Sequence, residues 1–132
     1  MKNNDDVTKG WILKAESDIE TLKILMERNK SLDTACFHAQ QAGEKYLKAF
    51  LNFNGIEFPK THDIEELLEF CAKLDKRFNN LTKDTSFLTA YAVELRYDFN
   101  FWPDINRVEN ALKAVNKIKQ LVLSLLPDEL HP

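Results

Sequence analysis

The stretch FHAQQAGEKYLKAFLNF, from Phe37 to Phe53, decides the fold. Ala35, Ala39, Ala42, Tyr46, Ala49 and Phe53 recur at alternating steps of four and three, while His38, Gln41, Lys45, Lys48 and Asn52 recur at steps of three and four. Helical geometry puts each set on its own stripe. The first stripe is mostly small, which lets a neighbouring helix approach closely. The second aligns an imidazole, amides and two ammonium groups, and reads either as solvated surface or as the wall of a polar groove.

Working outward, Trp11, Ile12, Ala15, Ile19, Leu22, Leu25 and Met26 predict a first helix from about Val7 to Arg28. A polar turn follows, with Asp33 expected to cap the second helix, which ends at Asn54-Gly55, where glycine accepts a left-handed cap. Pro59 marks a linker. Asp63 and Glu66 then have the spacing of a capping box, opening a short helix through Leu67, Leu68, Phe70, Cys71 and Leu74. After a turn at 78–83, Phe87, Leu88, Tyr91 and Leu95 predict a fourth helix ending near Arg96 to Asp98. Asp104 is the expected cap of the last helix, whose inward face holds Val108, Ala111, Leu112, Val115, Ile118, Val122 and Leu125, and Pro127 ends it. No strand-like alternation competes. The expectation is all-α: an up-and-down four-helix bundle with one extra short helix, in one domain over 1–132 with an ordered core of about 7–127.

Composition narrows the function classes. A formal charge of −3 provides no broad basic surface for duplex nucleic acid, but is compatible with a local phosphate pocket. The two cysteines, Cys36 and Cys71, fall inside helical patterns and read as buried thiols. The N-terminal residues lack the apolar core of a signal peptide, and the apolar run Ile118 to Leu126 is too short to span a bilayer. A cytoplasmic protein without membrane contact is expected. No Glu-x-x-His pairs occur, Cys36 and His38 do not share a helix face, and no phosphate-cradling glycine loop is present, so neither metal nor cofactor is expected.

Four segments together carry a family resemblance: W-x3-A-x2-D-x3-L (Trp11, Ala15, Asp18, Leu22), FHAQQAGEKYLKAFL, P-x-T-H-D-I (Pro59, Thr61, His62), and Leu95-Arg96-Tyr97. The chain resembles the HEPN family from Trp11 to the last helix, most specifically in the AQQA-x-EK-x-LKA segment. That resemblance implies a helical bundle, a homodimer, and a partner of nucleotidyltransferase fold in a toxin–antitoxin-like two-component system. Several HEPN branches are metal-independent ribonucleases, and others are thought to bind nucleotides. The ribonuclease branches carry Arg, four to six residues, then His. Here the matching arginine is Arg96, while the histidine positions hold Phe101, Trp102 and Pro103. None of these can transfer a proton, whereas metal-free RNA cleavage needs a group titrating near neutrality.

Each candidate also has a plainer reading. Arg96, Tyr97 and Asp98 form a phosphate grip, or else Arg96 satisfies helix-end carbonyls and pairs with Asp98. His38 supplies the missing imidazole, or is a hydrogen-bonded packing residue. Gln41 and Lys45 contact phosphates or bases, or belong to a solvated face on which Glu44 pairs with Lys48. The helix N-terminus at Thr61, His62 and Asp63 suits an anion, but capping accounts for Thr61 or Asp63 without one, with His62 orienting the loop. Tyr91, Tyr97, Phe99, Phe101 and Trp102 stack on a base, or else fill the core or form a dimer contact. The expected function is binding the phosphates of a nucleotide or single-stranded RNA, through Arg96, Tyr97, Asp98, His38, Gln41 and Lys45, beside a nucleotidyltransferase-fold protein. The alternatives are a metal-independent ribonuclease using Arg96 with a displaced His38 or His62, and a non-catalytic dimeric assembly module.

Overall fold

A computed structural model describes residues 4–132. Five α-helices form, α1 (Asn4–Arg28), α2 (Leu32–Phe53), α3 (Ile64–Ala72), α4 (Thr82–Thr85) and α5 (Ile105–Ser124), with no strand among the described residues. The chain is thus the all-α bundle that the periodicities imply. Helix α2 is the central rod, packed against α1, α3 and α5. Its small stripe is fully used inside this bundle: Ala35, Ala39, Ala42, Tyr46 and Ala49 are all buried. Gly43 lies among them, where an added Cβ would sit 3.2 Å from the Ile118 Cδ1 of α5 and 3.5 Å from that of Ile64. Close approach on two sides thus explains a residue that helix interiors otherwise disfavour.

The α1–α2 turn differs from its expected chemistry. Asp33 is not the cap; that position belongs to Ser31, which is left-handed at φ 49° and makes no side-chain cap bond. Asn29 is also left-handed, at φ 51°, and the Lys30 amide donates to the Leu25 carbonyl at 3.2 Å. The chain reverses in so few residues that α2 begins before Asp33, whose carboxylate instead sits in the positively polarised first turn. By contrast, Asp63 caps α3 by accepting from the amides of Glu65 and Glu66, and Asp104 caps α5 by accepting from the Arg107 amide. The capping box at α3 is relayed: Thr61 Oγ1 accepts from the Asp63 amide and donates to the Glu66 carboxylate.

The fourth rod is segmented. A 3-10 helix (Lys76–Leu81) runs into the single turn of α4, then a second 3-10 helix (Ser86–Tyr91), then turns through Tyr97. The hydroxyls of Thr85 and Ser86 donate back to the carbonyls of Leu81 and Thr82, a local competition that bends helices. Thr89 Oγ1 is drawn the other way and accepts the Ile64 amide of α3 at 3.0 Å. Phe78 is fully buried against Phe50, with ring centroids 4.8 Å apart, so the segment is anchored although its helix is broken.

Candidate functional site

Helix α1 buries Ile12, Ala15, Ile19 and Leu22, and the same face carries Asp18, only 8% exposed. A carboxylate so placed needs charged hydrogen-bonding partners. Two come from α2: His38 Nδ1 lies 2.9 Å from one oxygen and Lys45 Nζ 2.7 Å from the other. Beside Lys45 on α2, Glu44 is 3% exposed and pairs with Lys48 at 2.9 Å and His62 at 3.0 Å. Gln41 bridges toward it, donating to Gln40 Oε1 at 2.6 Å and approaching Glu44 at 3.4 Å. Asn52 completes the row by donating to Thr8.

The polar stripe of α2 is therefore neither open surface nor groove wall along its length. It is an internal seam in which two buried carboxylates each hold one imidazole and one ammonium group. The seam joins α2 to α1 and to the linker before α3. Tyr46 donates to Glu16, which also pairs with Lys119 of α5 at 2.9 Å, extending the seam across the bundle.

At the start of α2 the seam opens. A cleft of about 300 Å³ is lined by Asp33, Thr34, Phe37, His38, Tyr91, Leu95, Arg96 and Phe101. The guanidinium of Arg96 lies over the Phe37 ring, 4.2 Å from its centroid, and 5.5 Å from that of Tyr97. Stacking leaves the in-plane N–H donors of Arg96 free to meet an anion. No ion pair joins Arg96 to Asp98. Asp98 instead accepts the Asn100 amide at 2.9 Å and shapes the loop. Phe37 also touches His38 edge-on, at 5.6 Å between ring centroids. A carboxylate only accepts, so the Nδ1 facing Asp18 carries the proton and leaves Nε2 available.

Of the residues singled out in the sequence, Arg96 and His38 meet in this cleft. Tyr97 flanks it, 73% exposed. Gln41 and Lys45 are engaged in the seam and do not line the cleft, and His62 sits with Glu44. Asp18, which holds His38, and Phe37, which carries Arg96, are contributors not selected from the sequence. The W-x3-A-x2-D segment contains Asp18, but no spacing within one helix could reveal its partners on another. Arg107 Nε donates to the Tyr91 hydroxyl at 3.1 Å, and its guanidinium lies 5.1 Å from the Phe101 ring centroid. Beneath the cleft, burial pushes the Cys36 thiol up to about 11, against a smaller opposing pull from Arg107.

The aromatic segment divides. Tyr91 is buried and stacks on Phe101 at 5.7 Å. Tyr97, Phe99 and Trp102 do not fill the core, since Phe99 is 91% and Trp102 77% exposed. Among the described residues no group of three or more His, Cys, Asp and Glu side chains is arranged to hold a metal ion, and no helix is long and apolar enough to cross a membrane.

Comparison with known proteins gives this geometry a family. A stretch of 55 residues is 42% identical to a Methanocaldococcus jannaschii protein described as "Putative toxin MJ1304", covering 42% of this chain and 36% of that protein. The matched part is thus about a third of the relative's length. A crystal structure of an archaeal HEPN homologue superposes with a TM-score of 0.71 over 95% of this chain and 98% of the other, at 24% sequence identity, and shares its fold. The HEPN domain model matches residues 8–125. The chain belongs to the HEPN domain family.

Proposed function

We propose that this protein binds the phosphate of a nucleotide or of single-stranded RNA in the cleft between the start of α2 and the Arg96 loop. It acts there as the HEPN component of a toxin–antitoxin-like pair whose other member has a nucleotidyltransferase fold. The observation that carries the reading is the meeting of Arg96 and His38 in one cleft, with Arg96 stacked on Phe37 and joined to no carboxylate among the described residues. The pairing with a nucleotidyltransferase rests on family membership, and the toxin description of the archaeal relative supports it. Calorimetric titration with ATP, GTP and a short RNA tests the binding. Saturable heat that disappears in Arg96→Ala is expected; absence of heat with all three, together with an unchanged melting temperature, contradicts it.

A second reading, metal-independent RNA cleavage, is favoured by one observation. Asp18 orients His38 through Nδ1, the arrangement by which a carboxylate readies an imidazole for proton transfer. His38 would take the proton of a ribose 2′-hydroxyl while Arg96 holds the phosphate. The alternative use of His62 is not supported, because that ring lies on Glu44 outside this cleft. Incubation with RNA in EDTA separates the readings. Cleavage lost in both His38→Ala and Arg96→Ala selects the nuclease, whereas intact RNA that still binds selects the binding protein.

A further inference from the structure

Tyr91 is shared by two hollows. It lines the Arg96 cleft, and it also lines an open groove of about 580 Å³ between the 82–91 segment and the outer face of α5. Arg107 belongs to the groove side and is not among the residues that line the cleft. Its Nε donates to the Tyr91 hydroxyl at 3.1 Å. Its guanidinium carbon stands 5.7 Å from the Tyr91 ring centroid and 5.1 Å from that of Phe101, within the roughly 6 Å over which an aromatic face attracts a cation.

Both rings are carried by irregular backbone. Tyr91 ends a 3-10 helix, and Phe101 lies in the loop before α5, where its amide donates to the Asp98 carbonyl at 3.1 Å. The rings stack on each other with centroids 5.7 Å apart and planes 28° apart, and both line the cleft. Arg107, by contrast, sits in the first turn of α5, where the Asp104 carboxylate accepts its amide at 3.0 Å. A side chain on a capped helix thus ties together two rings whose own segments hold them less firmly. Sites built on loops gain their precision from backing of this kind.

From this we infer that Arg107 is a positioning residue of the Arg96 cleft, which fixes the Tyr91–Phe101 wall from behind without touching the ligand. The inference rests on the reading of that cleft as a phosphate-binding site. It differs from a role as a second phosphate cation, because Nε is spent on the Tyr91 hydroxyl and the planar face on the rings. A lysine at this position keeps the charge but has neither the fixed fork nor the plane, so charge and positioning are separable by substitution.

The test is the affinity of a labelled six-nucleotide single-stranded RNA, with a melting curve for each protein. Arg107→Lys weakens binding about threefold to tenfold although the charge is kept, and the melting curve is unchanged because the side chain is exposed. Tyr91→Phe, which removes only the hydroxyl, weakens binding too, and adding Arg107→Lys to it costs less than in the parent, as expected of two groups acting as one. Lys113→Ala, which takes a charge from the same groove, leaves the affinity unchanged. Parent affinity in Arg107→Lys, or additive losses in the double variant, overturns the inference alone, provided that Arg96→Ala still abolishes binding. An equal loss in Lys113→Ala also overturns it, since charge would then suffice. A parent protein that binds no RNA overturns the reading of the cleft and this inference with it.

Discussion

Asp18 is the residue on which the α1–α2 contact is most sensitive. Its carboxylate is buried between His38 and Lys45, and removing it strands both partners, while removing one partner leaves the other in place. Asp18→Ala should therefore cost about 2 kcal/mol, and Lys45→Met clearly less, as read from urea denaturation midpoints. The cysteines provide a second test at this scale. Burial raises Cys36 from its ordinary 9.0 to about 11 and Cys71 to about 12. The folded chain thus holds these protons more tightly than the unfolded chain. The associated stability is complete below pH 9 and is lost as pH rises through 11 and 12. Tyr46, also raised by burial and by Glu16, adds to the loss above 10. Melting temperature should stay level to about pH 8.5 and fall above 9, with a shallower fall between 9 and 10 for the Cys36→Ala/Cys71→Ala protein. The sequence makes both thiols legible as buried, because they sit on apolar helical faces. It cannot reveal that His38 leans on Asp18, because twenty residues separate them and only the packing of two helices joins them.

At the scale of elements, the long amphipathic helices were legible and the fourth rod was not. α1, α2 and α5 keep one periodicity over twenty or more residues, so the pattern outweighs any local exception. Between Thr82 and Thr89 the apolar spacing fits a helix, yet two threonines and a serine divert backbone partners to their hydroxyls. The result is a segmented wall, and that segmentation turns Phe87 outward beside the α5 groove. Gly43 gives the sharpest prediction here. Its missing side chain lets α2 meet Ile118 and Ile64, so Gly43→Leu should overpack the contact and destabilise by roughly 1–3 kcal/mol. A loss of cooperativity or of denaturation midpoint would register it; an unchanged midpoint would mean that α5 yields more easily than its packing implies.

At the scale of the whole molecule, the bundle satisfies its own core, and its most exposed large apolar side chains among the described residues are aromatics of one loop. Phe99 and Trp102 stand in solvent beside the Arg96 cleft, with Tyr97 adjacent. Exposed aromatics grouped in this way mark association surfaces. A homodimer built on this face would set the two Arg96 clefts near each other. Light scattering should find a dimer for the parent chain and a monomer for Trp102→Asp, with helical content retained. The most direct test of the central claim is the affinity of a labelled six-nucleotide single-stranded RNA in EDTA, compared between the parent protein and Arg96→Ala. Loss of one charge-assisted phosphate contact predicts a weakening of roughly tenfold or more with unchanged melting temperature. Equal affinities for the two proteins, or no binding by either, would contradict a phosphate-binding role for the cleft.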